Sequence, residues 1–169
     1  MEPSTSYPID RASESMHDSE QVHLKMFQLI DINKTGYISV DEFIRALHSR
    51  GIIADRANIQ ALFRLICNRA EPELNVEMFI HLMYIFEMAD TTDPRAILFR
   101  AADINHTGKI NPYEFYRILR KLGFEVDKHA VDVLFGHVAQ ADGEIDYDVF
   151  SQIIDRLYLE TQAKQAQQV

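Results

Sequence analysis

Residues Asp31 to Phe43 read DINKTGYISVDEF, and residues Asp103 to Phe115 read DINHTGKINPYEF. The second stretch is the first displaced by 72 positions. The same displacement relates Phe27 to Phe99, Gly51 to Gly123, Asp55 to Asp127 and Phe63 to Phe135. One unit is therefore present twice, and the body of the chain is two copies of it.

Each copy reads as helix, loop, helix, turn, helix, loop, helix. Ahead of the first stretch, Val22, Met26, Phe27, Leu29 and Ile30 are read as one helical stripe. Behind it, Phe43, Ile44 and Leu47 carry a stripe that stops at Gly51, a helix-ending glycine. The second copy repeats this with Ile97, Leu98 and Phe99, then Phe115, Ile118 and Leu119, ending at Gly123. No segment sustains strand alternation, so any strand is very short. At the junction, MADTTDPRAIL, Asp93 caps a new helix and Pro94 fits its first turn. A continuous helix through Pro94 would break or kink.

Both quoted stretches follow the pattern D-x-N-x-T-G-x-I-[SN]-x-x-E. They match the twelve-residue EF-hand calcium loop at nearly every ligand position. The chain thus resembles the EF-hand superfamily over roughly residues 20 to 160, and its body is similar to four-hand proteins of the calmodulin and troponin C type. The fold the resemblance implies is all-α: two EF-hand-pair lobes, or four helix-loop-helix units, joined by a short hinge. The corresponding division is a disordered tail over 1–19, a first lobe over 20–90, a linker over 91–95, a second lobe over 96–160 and a polar tail over 161–169, read as a fraying helix end.

The resemblance also implies ligands. Calcium takes six to eight oxygens at about 2.3–2.6 Å. Asp31, Asn33 and Thr35 would supply side-chain oxygens, Tyr37 its backbone carbonyl, Ser39 a contact through water, and Glu42 both carboxylate oxygens. Asp103, Asn105, Thr107, Lys109, Asn111 and Glu114 take the same parts in the second copy. The plainer reading is an Asx turn followed by a capping box, Ser39-x-x-Glu42 and Asn111-x-x-Glu114. The two readings coexist, because the exit helix of an EF-hand starts there. With two carboxylates per loop, the expected dissociation constant is on the order of 10⁻⁵ M or weaker.

The partner loops have lost this pattern. Anchored by Leu74 and Phe79, Cys67 to Met78 has Cys67, Arg69, Pro72 and Met78 at positions 1, 3, 6 and 12. Anchored by Ile145 and Phe150, Val138 to Val149 keeps Asp142, Gly143 and Asp146 but puts valine at both ends. Neither is expected to bind metal, and each serves as a scaffold, pairing Leu74 with Ile38 and Ile145 with Ile110. Their anchors lie 71 residues apart rather than 72, a slip of one residue. Two Ca2+ per chain follow, one in each lobe.

Composition sets the remaining bounds. Of 169 residues, 17 are basic and 26 acidic, a net charge of −9 that disfavours nucleic acid and anionic bilayers and suits cations or basic peptides. No apolar run approaches a membrane span, Glu2 stands where myristoylation needs glycine, and Cys67 can form no internal disulfide. The seven histidines show no metal-ligand spacing, and His106 is read as solvated. No phosphate loop or nucleophile elbow is present, so no enzyme is expected.

Met26, Met78, Met83 and Met88 lie in the first copy and no methionine follows residue 88. They suggest an adaptable groove, or simply core. The leading expectation is a cytoplasmic calcium sensor, with cytoskeletal or nuclear association as further settings. It would be a monomer when free and would bind a basic amphipathic helix of a target protein, with no stable membrane anchor. The alternative is a constitutive subunit resembling a myosin light chain, and a simple buffer fits less well. The even loop spacing is closer to calmodulin than to penta-EF-hand proteins, and centrin stays open.

Overall fold

The computed structural model describes residues 11–67 and 71–166. In chain order they form α1 (Arg11–Ile30), β1 (Ile38–Ser39), α2 (Val40–Ser49), α3 (Arg56–Ile66), β2 (Glu73–Leu74) and α4 (Val76–Met88). After a break come α5 (Pro94–Ala102), α6 (Pro112–Lys121), α7 (Lys128–Val138) and α8 (Tyr147–Ala166). The fold is all-α, with eight helices among the described residues.

Local chemistry sets the helix ends. Ser39, Asp55, Asn75, Asp93, Asn111 and Asp127 each stand just before a helix, in extended conformation, with the side chain accepting an amide of its first turn. At the other end of α2, Gly51 N donates to His48 O and Ile52 N to Leu47 O. Gly123 to Arg120 and Phe124 to Leu119 repeat this pair of bonds after α6, so both copies stop their helices in the same way.

The duplication reappears as two matching cores. Phe27 meets Phe79 and Phe43 meets Phe63, with ring centroids 5.7 and 5.5 Å apart. Phe99 meets Phe150 and Phe115 meets Phe135 at 5.3 and 5.5 Å in the second lobe. All eight rings are buried in tilted or edge-on contacts. Each buried phenylalanine contributes about 1.5–3 kcal/mol through burial alone. The expected loop pairing is present: Ile38 lies opposite Leu74 in an antiparallel two-residue ladder, and Ile110 forms a single bridge with Ile145.

Three expectations change. Helix α1 starts at Arg11, so the stretch read as a tail over 1–19 is helical from there, while residues 1–10 lie outside the described residues. Pro3 and Pro8 sit ahead of that start, and Ala12, Glu14 and Met16 behind it favour helix. The polar stretch from residue 161 is helical as read, α8 running through Ala166. Within α1, Val22 and Leu29 face solvent, 54% and 76% exposed, because the face packed on α4 is the one carrying His23, Phe27 and Ile30. Between α4 and α5 the helix is broken as expected, but α4 packs on α5 and α3 on α6, so the lobes touch.

Candidate metal centre

In the first loop, Asp31 leaves the end of α1 with its carboxylate buried, 7% exposed. Its Oδ1 accepts Thr35 N at 3.0 Å and its Oδ2 accepts Gly36 N at 2.9 Å. Asn33 Oδ1 accepts the same Thr35 amide at 3.2 Å. The turn closes because Lys34 and Gly36 adopt φ of 53° and 80°, a region glycine enters without strain. Thr35 Oγ1 then lies 3.1 Å from Tyr37 O and 3.5 Å from Asp31 Oδ1. The Thr35 hydroxyl thus bridges two of the expected ligand oxygens, at distances close to those between neighbouring oxygens on one Ca2+, about 3–3.5 Å. Glu42, also buried, accepts Ser39 N at 3.0 Å and Ser39 Oγ at 2.7 Å, both on Oε2.

The second loop repeats the frame. Asp103 Oδ1 accepts Thr107 N at 2.9 Å and Oδ2 accepts Gly108 N at 3.0 Å. Asn105 Oδ1 accepts Thr107 N at 3.2 Å, and Thr107 Oγ1 donates to Lys109 O at 3.3 Å. Glu114 reaches further than Glu42 does. Its Oε2 accepts Asn111 N at 3.1 Å, and Oε1 spans the loop to Ile104 N at 3.0 Å and Asn105 N at 3.3 Å. Burial raises the Glu114 pKa against the pull of those three amides, and the negative charge of Asp103 raises it too. Two buried carboxylates that repel one another are a setting a hard divalent cation relieves, although Arg100, 3.5 Å from Asp103 Oδ2, already offsets part of that charge. The donor set is all oxygen and fits Ca2+.

All twelve expected residues thus gather in two loops, six in each, and the capping boxes are present alongside. Among the described residues no cluster of three or more His, Cys, Asp or Glu side chains forms a metal site, because these loops rely on amide, hydroxyl and carbonyl oxygens.

The partner loops have other occupations. The Asp142 carboxylate pairs with the Lys109 ammonium, which also donates to Gln140 Oε1 at 2.7 Å. Asp146 accepts Val149 N at 3.0 Å, ordering the start of α8. Asn75 does the same for α4 through Met78 N at 2.9 Å, and Cys67 and Pro72 are buried. The expectation for Arg69 lies outside the described residues.

One part of the site escaped sequence reasoning. From α4 in the first lobe, Tyr84 Oη donates to Asp103 Oδ2 at 2.5 Å and accepts Arg100 Nη1 at 3.0 Å. Burial, then the bond to Asp103, pushes its pKa up to about 12. His106, read as solvated, is half-buried: its ring stacks on Tyr84 at 4.0 Å and bonds the His81 ring at 2.9 Å. His81 in turn contacts Ala101 O at 3.2 Å, and burial lowers its pKa. Lys121 of α6 reaches back to the last carbonyls of α3, Leu65 O and, at 2.9 Å, Ile66 O. The available signal was slight: His81 and Tyr84, two polar-tipped rings three residues apart in a mostly apolar α4.

Beside the first loop, α1, α2, α3 and α4 line an open cleft of about 380 Å³ whose walls include Met26, Phe43, Leu47, Ile59, Met83 and Phe86.

Comparison with known proteins agrees with this geometry. Residues 24–50 match the EF hand domain model and residues 95–119 an EF hand model. The chain is similar to the calcium-binding protein CML19 of Arabidopsis thaliana, 24% identical over 134 residues, spanning 78% of this chain and 80% of that protein. It is also similar to the "Probable calcium-binding protein CML44" of the same plant, 25% identical over 145 residues, spanning 77% and 90%. A third relative, from Oryza sativa subsp. japonica and described as calmodulin-like, is 23% identical over 133 residues, spanning 76% and 78%.

Proposed function

The chain is an EF-hand, calmodulin-like protein, and from that premise we propose a calcium sensor with two sites, one in each lobe. The supporting observation is the Thr35 hydroxyl lying 3.5 Å from Asp31 Oδ1 and 3.1 Å from Tyr37 O, on a frame whose amide bonds recur at Asp103. Asp31, Asn33, Thr35, Ser39 and Glu42 with the Tyr37 carbonyl hold one ion. Asp103, Asn105, Thr107, Asn111 and Glu114 with the Lys109 carbonyl hold the other. Glu42 and Glu114 each close a loop and open an exit helix, so binding pulls on α2 and α6 directly.

The partner is a basic amphipathic helix of a target protein. The apolar cleft beside the first loop offers its seat, and the net charge of −9 favours its sign. The protein acts in the cytoplasm as a regulator without enzymatic activity, monomeric until it meets its target.

Calorimetric titration of calcium into metal-free protein, alongside a dye reporting apolar surface, tests this. Two sites with increased dye binding are expected, and no heat at millimolar calcium would overturn the proposal. The replacement of both partner loops by structural contacts favours one further reading, a constitutive light-chain-like subunit. That reading requires capture of a basic amphipathic peptide equally well in chelator.

A further inference from the structure

We infer that Tyr84, a residue of the first lobe, is a positioning residue of the second calcium loop, which therefore reaches its full affinity only with the first lobe docked on it. The inference rests on the reading of that loop as a calcium site.

The two loops share ligand types at positions 1, 3, 5 and 12, yet their first aspartates are held differently. Asp31 takes the amides of Thr35 and Gly36. Asp103 takes the corresponding amides of Thr107 and Gly108, then two further groups on Oδ2: the Tyr84 hydroxyl at 2.5 Å and the Arg100 guanidinium at 3.5 Å. Burial is complete at Asp103, which is 0% exposed.

Arg100 also donates to the Tyr84 oxygen at 3.0 Å, so guanidinium, hydroxyl and carboxylate form one polarised chain. The Tyr84 ring is fixed by its stack on His106, nearly parallel at 20°. Hydroxyl and Gly108 amide together pin Oδ2, which sets the carboxylate plane and presents Oδ1 on the side of Thr107. Groups that orient a metal ligand in this way are worth about 10–100-fold in metal affinity. Without the hydroxyl, Arg100 loses the oxygen it donates to, and its guanidinium, 3.5 Å from Oδ2, competes with calcium for the same carboxylate.

The test is calorimetric titration of the full chain in two backgrounds. Glu42→Gln leaves the second loop as the remaining site, and Glu114→Gln leaves the first. Adding Tyr84→Phe, which keeps the ring stack, is expected to weaken calcium about tenfold in the first background and leave the second within about twofold. In chelator, the amide resonance of Gly108 should move in Tyr84→Phe while that of Gly36 stays. Unchanged or tighter binding by the second loop overturns the inference, as does equal weakening in both backgrounds or an unmoved Gly108. If Glu42→Gln alone binds no calcium, the site reading falls and the inference with it. Binding there that ignores Tyr84→Phe removes the inference only.

Discussion

Ile110 and Ile145 donate to and accept from each other's backbone at 2.9 Å in both directions, tying a loop with carboxylates at both ends to one with valine at both ends. Both side chains are fully buried. The degenerate loop thus supplies one wall of the core beneath its partner loop. Truncation by Ile145→Ala leaves a cavity there and should cost about 2–5 kcal/mol in denaturant unfolding. Because Ile110 is position 8 of the second loop, calcium binding there should weaken as well. Retention of both stability and affinity would mean that the pairing carries no load.

Each loop closes on one glutamate. Glu42→Gln and Glu114→Gln should each reduce calorimetric stoichiometry from two to one, and the double variant should bind none at millimolar calcium. Glutamine keeps an acceptor for the capping amide but offers a single oxygen and no charge to the ion. The calcium-free fold should persist in all three, with far-ultraviolet circular dichroism as the check.

What could be read in the sequence was what repeats or acts locally. The ligand spacing, the caps at Ser39 and Asn111, the stops at Gly51 and Gly123 and the facing of Ile38 with Leu74 lie within units of known period. The lobe contact does not. Tyr84 and Asp103 are separated by 19 residues, and Lys121 and Leu65 by 56. No periodicity relates such pairs, which arise only when two finished surfaces meet. The start of helix α1 is hidden for another reason: the composition of residues 1–19 taken together masks a boundary at Arg11, past the last of the early prolines.

Asp93 caps α5, accepts the Tyr147 hydroxyl and pairs with Arg95, which reaches on to Asp155 of α8 at 2.8 Å. The bond from Tyr147, then that from Arg95, lowers the Asp93 pKa to about 2 from an ordinary 3.8. Since the unfolded chain takes up this proton first, the stabilisation is present above pH about 4 and is lost as pH falls through about 2. Asp93→Asn forgoes the charge at every pH. The melting temperature of wild type should therefore exceed that of the variant at neutral pH, and the two should converge towards pH 2. A gap that is constant over that window would place the stabilisation in the neutral capping bond alone.

Lys121 caps α3 from the other lobe, donating to two carbonyls that the last helical turn leaves without an internal partner. Burial, with the nearby charge of Arg117, lowers its pKa to about 8 from 10.5. Two effects then oppose each other at neutral pH: the half-buried ammonium is costly, and the carbonyls would be costly without it. Lys121→Met removes the donor and should destabilise the protein at pH 7 by about 1–2 kcal/mol, because the orphaned carbonyls outweigh the relief. Between pH 8 and 10.5 the unfolded chain holds more protons on this lysine than the folded chain, so stability contributed by the group rises with pH. Wild type should gain on Lys121→Met across that interval in paired denaturant titrations, whereas a gap that narrows would show that the ammonium charge itself, rather than N–H donation, holds α6 to α3.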